Sequence, residues 1–89
     1  MQNQEVFTQV VSAVRAVINV KEEDIRPETT FRGDLGAESI DMLDISSEIE
    51  KLMGKEVDMQ AVVTHAKTAK GKAATELAIG DLVDFLSLN

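Results

Sequence analysis

The chain has 89 residues, 44% of them hydrophobic, with one proline, three phenylalanines, no Trp, Tyr or Cys, and a net charge of -7. That length holds one domain, residues 1–89, around a single small core. The excess acid argues against nucleic acid and anionic membrane, the missing cysteine excludes disulfides, thiolate zinc sites and a thiol nucleophile, and with neither a signal-peptide layout nor a membrane-spanning apolar run the expected location is cytoplasmic.

The first element is an amphipathic helix. Val6, Phe7, Val10, Val11, Val14, Val17 and Ile18 recur at three- and four-residue spacing and make one apolar stripe, with Asn3 placed to cap its start. "NVKEEDIRPETTF" then reads as a long loop around Pro27, in which Ile25 and Phe31 are expected to anchor into the core. "RGDLG" supplies a turn, with Gly33 and Gly36 free to take conformations barred to other residues. A second helix is predicted over residues 39–53, burying Ile40, Leu43, Ile49, Leu52 and Met53, with Ile45 at the margin and Gly54 as its stop. Val57 and Met59 lead into a third helix, where Met59, Val62, Val63 and Ala66 share a face. Lys67 and Lys70 fall in its last turn and Gly71 follows. The last element buries Ile79, Leu82, Val83 and Leu86. Gly80 weakens its start, and Thr75 is an alternative cap. Nothing alternates long enough for a strand, so the expected fold is all-α: a small four-helix bundle with a long loop between its first two helices.

Ser39 opens the second helix, crowded by Asp34, Glu38, Asp41 and Asp44 and supplied with no base. The plain reading is a helix cap. A Ser-His-Asp triad is not expected, because the one histidine, His65, lies in another helix without an orienting acid. Asp41, Asp44 and Glu48, spaced i, i+3 and i+7, line one face with only Lys51 to offset them. Such a face is either simply solvated or meets a basic partner. These carboxylates leave room for a weak divalent-cation site, but they do not match a calcium loop, and no metal is assigned. "KTAKGK" is not a phosphate loop, since Ala66 stands where the required glycine would be. The charge is uneven as well: residues 1–50 carry four Lys/Arg against eleven Asp/Glu, and residues 51–89 five against five.

"TTFRGDLGAESIDMLDISSEIEKLMGKEV" resembles the heart of an acyl carrier protein, a family in which Asp-Leu-Gly-(small)-Asp-Ser-Leu leads into an acidic second helix. The resemblance covers almost the whole chain, down to the closing "IGDLVDFL". Asp34, Leu35 and Gly36 match the motif. Glu38 stands where Asp is usual, Ile40 where Leu is usual, and Ala78 where a capping Thr is frequent. Residues 59–75 form a third-helix region longer than the family's.

The resemblance implies that Ser39 is the attachment point of a 4′-phosphopantetheine arm, flanked by the motif residues Asp34, Leu35, Gly36, Glu38 and Ile40. A separate phosphopantetheinyl transferase would attach the arm from coenzyme A, so no base beside Ser39 is needed, and the arm would supply the thiol that the chain lacks. The chain would not itself be an enzyme. As a monomer it would carry acyl thioesters between loading and transfer enzymes of fatty acid, lipid or polyketide-type biosynthesis, presenting Glu38, Asp41, Asp44 and Glu48 to their basic patches. Two alternatives stand beside this. One is a peptidyl or aminoacyl carrier, which commonly has Gly-Gly-His/Asp-Ser before its arm; the other is an unmodified acidic interaction module. An aliphatic core can also part to admit an acyl chain, and pattern alone nominates Phe31, Leu43, Ile49, Val57, Met59, Val62 and Leu82 as its lining, each otherwise a plain core residue. The long third region is expected to extend that helix, enlarge the cavity and restrict docking, or else to be an inert excursion.

Overall fold

Four helices form in chain order: α1 (Gln2–Val17), α2 (Ser39–Met53), α3 (Met59–Lys70) and α4 (Ile79–Leu86), with single 3-10 turns at Glu22–Asp24 and Ala74–Glu76. The computed structural model describes the backbone of residues 2–88 and the side chains of residues 4–88. Among these residues the pairing of β type is one isolated bridge, between Thr30 and Ala78. The result is the all-α four-helix bundle that the hydrophobic pattern predicts. α1 packs on α2 and α4, while α3 leans on α4 and touches α2 more lightly.

Local chemistry sets the helix ends. α1 begins at Gln2, so Asn3 lies inside the helix and not at its cap position; its side chain falls outside the described residues. Val10 and Val14 of α1 are fully buried, and Ala13, overlooked as a small residue, is buried beside them. α2 stops at Gly54, which takes φ 70°. α3 starts where Asp58 Oδ1 accepts the Gln60 N–H at 2.9 Å, and it stops at Gly71, whose N–H donates to the Lys67 carbonyl at 3.0 Å. α4 starts at Ile79, where the Asp81 carboxylate accepts the Ala78 N–H at 2.8 Å. Asp81 thus supplies the cap bond from inside the first turn, which removes Thr75 from that role.

α2 keeps part of the face its spacing suggests, since Ile49 is buried and Met53 packs against the core, but the rest is turned. Ile45 and Ile49 are fully buried, whereas Ile40, Leu43 and Leu52 are 63%, 65% and 47% exposed. Two apolar rows run along this helix. The inward row passes through Met42, Ile45, Ser46 and Ile49, and it reaches the core because Ser46 is small and returns its hydroxyl to the Leu43 carbonyl at 2.8 Å. A polar residue whose hydrogen bond is made locally can be buried at little cost, and that shifts the stripe.

The long loop is held by both of its apolar anchors, with Ile25 and Phe31 buried in the core. Its second half is stitched to the start of α4. The Phe31 N–H donates to the Leu77 carbonyl at 3.0 Å, Ile79 to Thr29 at 2.8 Å, and Gly80 to Pro27 at 2.8 Å. A Cβ at position 80 would lie 3.0 Å from the Pro27 carbonyl oxygen. Glycine there permits the loop's close approach, which explains a residue that helix propensity disfavours.

Candidate functional site

Residues 30–37 fold on themselves and deliver Ser39. The Thr30 N–H donates to Asp34 Oδ2 and the Asp34 N–H donates back to Thr30 Oγ1, both at 2.9 Å. The Leu35 and Ala37 N–H groups bond the carbonyls of Thr30 and Phe31 at 3.1 and 2.8 Å. Gly36 takes φ 67°, and a Cβ there would meet nothing within 4 Å, so the space beside this turn is open. Gly33 keeps a negative φ and has no such backbone role. Asp34 organises the loop, Leu35 is half-buried, and Ala37, the motif's small residue, is buried as the loop's plug.

Ser39 is the first residue of α2 and not its cap. Glu38 occupies the cap position with extended backbone, and Asp41 Oδ2 accepts the Glu38 N–H at 2.9 Å. The cap bond thus comes from the third helical residue, and the Ser39 hydroxyl is exposed and bonded to no side chain or backbone group among the described residues. The N–H groups of the first turn lack partners within the helix and, with the helix dipole, favour an anion in front of Ser39.

Asp41, Asp44 and Glu48 do share a face. They border a shallow depression with Ala16 and Val17 of α1, and Lys51 Nζ lies 3.4 Å from Glu48 Oε2. Glu38 and Asp44 are exposed, whereas Asp41 and Glu48 are half-buried. Exposed Ile40 and Leu43 lie on the outer side of the same helix, so the surface around Ser39 mixes acid with large apolar side chains.

A cleft of about 410 Å³ opens beside Ser39 between α2 and α3, within the span usual for small-molecule pockets. Its apolar lining includes Phe31, Met42, Leu43, Met59, Val63 and Leu77, and Ser39 lies on it as well. Arg32, Asp58 and Gln60 add polar edges, and Ala74 closes one side. Of the seven lining residues nominated by pattern, Phe31, Leu43 and Met59 border this cleft. Ile49, Val57, Val62 and Leu82 do not; they are packed into the core. Met42, Val63 and Leu77 were missed because the azimuth of α2 and the fold of the strap after α3 decide which side chains face the opening.

Residues 8–71 match the protein family described as "Phosphopantetheine attachment site". Over 57 residues the chain is 30% identical to a protein of Rubrobacter xylanophilus named "Acyl carrier protein", a stretch covering 64% of this chain and 70% of that one. The chain belongs to the acyl carrier protein family.

In this carrier protein an ionic network ties the end of α3 and the residues after it to α4. Lys70 Nζ contacts Asp81 Oδ1 and Asp84 Oδ2, each at 2.7 Å, and Lys72 Nζ contacts Asp81 Oδ2 at 2.8 Å. Burial pushes the Asp81 carboxyl up, but the hydrogen bonds from Lys70, Lys72 and the Ala78 N–H outweigh it and hold the group below its ordinary value. Lys70 is raised by its bonds to Asp81 and then Asp84. Two of the three lysines of "KTAKGK", Lys70 and Lys72, thus tie the carrier's third helix and the residues after it to the fourth. His65 sits apart from the cleft, edge-on to Phe85 with ring centroids 5.7 Å apart.

Proposed function

We propose that this carrier bears 4′-phosphopantetheine on Ser39 and shuttles acyl groups as thioesters on that arm, without catalysing their chemistry. The observation that supports this most is the placement of Ser39: an exposed, uncommitted hydroxyl on the first residue of a helix, at the edge of an apolar cleft. Open space beside Gly36 leaves room for a tether to depart. In the loading step, Ser39 Oγ forms a bond to the β-phosphorus of coenzyme A. The pyrophosphate P–O bond breaks, adenosine 3′,5′-bisphosphate leaves, and the hydroxyl proton passes to a base of the phosphopantetheinyl transferase. The resulting phosphodiester anion sits where the first-turn N–H groups favour it. Asp34, Leu35 and Gly36 position the serine, while Glu38 and Ile40 flank it.

The cleft offers the acyl chain an alternative to water, worth about 0.8 kcal/mol per methylene sheltered before the cost of opening it. Glu38, Asp41, Asp44 and Glu48 give loading and transfer enzymes a negative surface, and Ile40 and Leu43 add apolar contact. Electrostatic docking of this kind speeds encounter without making release slow. On this reading the protein is a cytoplasmic monomer, a single domain serving fatty acid, lipid or polyketide-type synthesis.

Intact mass tests the assignment. The apo protein is incubated with coenzyme A and a broad-specificity transferase. One phosphopantetheine should appear on the wild type and none on Ser39→Ala. No gain on the wild type favours an unmodified interaction module, and a gain on Ser39→Ala moves the site elsewhere.

A further inference from the structure

The stretch between α3 and α4 is pinned at both ends. At its start, Lys70 and Lys72 reach back to Asp81, which is 3% exposed, and Lys70 also reaches Asp84. At its end, the Leu77 carbonyl accepts the Phe31 N–H and Thr30 bridges Ala78. Between the pins, residues 73–76 are exposed and form one 3-10 turn, in which the Glu76 N–H donates to the Ala73 carbonyl at 2.9 Å and Glu76 Oε1 accepts the Ala73 N–H at 2.8 Å. Ala74 and Leu77 from this strap line the same cleft as Ser39. Leu77 is buried at the base, so the one exposed strap residue bordering the cleft is Ala74, whose side chain is a single methyl.

We infer that this strap sets the length of acyl chain the cleft accepts, with Ala74 as the limiting residue and Lys70, Lys72 and Asp81 as positioning residues that fix the wall. The inference rests on Ser39 bearing the arm. A wall held by ion pairs at one end and backbone hydrogen bonds at the other keeps its place, so a larger side chain at position 74 takes volume from the cleft instead of swinging outward. Losing the Lys72 tie frees the start of the strap while Lys70 still engages Asp81, so the wall loosens without unfolding α4.

The test loads the wild type, Ala74→Phe, Lys72→Met and Lys72→Arg with butyryl, octanoyl and dodecanoyl phosphopantetheine. It then measures how fast hydroxylamine cleaves each thioester, with circular dichroism confirming the helices. In the wild type, protection should grow with chain length up to a limit. Ala74→Phe should lower that limit, with protection of the octanoyl form falling up to about fourfold for each methylene expelled, while the butyryl form is unchanged. Lys72→Met should alter the profile for the long chains alone, and Lys72→Arg should restore it. An identical length profile in Ala74→Phe and wild type, with the arm loaded on both, overturns the inference and leaves the arm on Ser39 intact. Failure of the wild type to gain the arm overturns both.

Discussion

The carboxylate of Asp41 accepts the backbone N–H of Glu38 at 2.9 Å, spanning the residue that opens α2. Serine is among the residues preferred at a helix cap, where its hydroxyl accepts a first-turn N–H. Here the bond is made from the third helical position, and Ser39 is released from structural duty.

Asp41→Ala should therefore cost about 1 kcal/mol of stability, the usual loss for a cap bond, whereas Ser39→Ala should change it by much less. Urea unfolding of the two variants checks this. Equal losses would mean that the serine hydroxyl contributes to holding the helix.

The exposed and buried rows of α2 make an opposite pair. Ile45→Ala should cost about 2–5 kcal/mol through an unfilled cavity, and Ile40→Ala should fall within about 0.5 kcal/mol of the wild type. If Ile40→Ala also leaves stability untouched but slows modification by the transferase, the outer row acts in recognition.

Both rows were visible as apolar residues at helical spacing, and spacing cannot say which one faces inward. The choice falls to Ser46, whose hydroxyl is satisfied within the helix, and to α1, which packs along that side. Helix ends were easier to read, because Gly54 and Gly71 punctuate the chain through local chemistry. Ser39 and its loop were legible for the same reason. The ties of Lys70 and Lys72 to Asp81 were not, since they cross a connection whose path no periodicity describes. The lining of the cleft depends on the rotation of α2 and on that connection, so only Phe31, Leu43 and Met59 were placed at it.

Asp81 and Lys70 give the protein a defined pH response. The folded Asp81 titrates below its ordinary 3.8, so its stabilisation is complete above that pH and is lost as acid carries the protein down through the depressed value. The folded Lys70 titrates above 10.5, so its share is complete below that pH and is lost as the solution passes the raised value. Asp81→Asn should cost about 1.5–3 kcal/mol at neutral pH, as expected for hydrogen bonds to a charged group. Chemical denaturation across pH should show that difference shrinking below pH 3.8. A constant difference would assign the loss to packing and not to charge.

Asp44 is exposed and lies between Asp41 and Glu48 on the acidic face. Asp44→Lys should lower the transferase's kcat/KM at low salt and flatten its dependence on ionic strength, because exposed charges are screened beyond about 10 Å at 0.1 M salt. Rates equal to wild type at every salt concentration would remove this face from docking.

The seam between residues 27–31 and 77–80 joins stretches far apart along the chain, and contacts of that separation are the slowest to close. Helix α2 takes its start from a local cap bond and its support from α1, so it does not depend on that seam. The cleft needs the strap, and the strap needs the seam. Under the proposed function, completing the shelter for a cargo is thus a late event of assembly, tied to the slowest contacts in the chain.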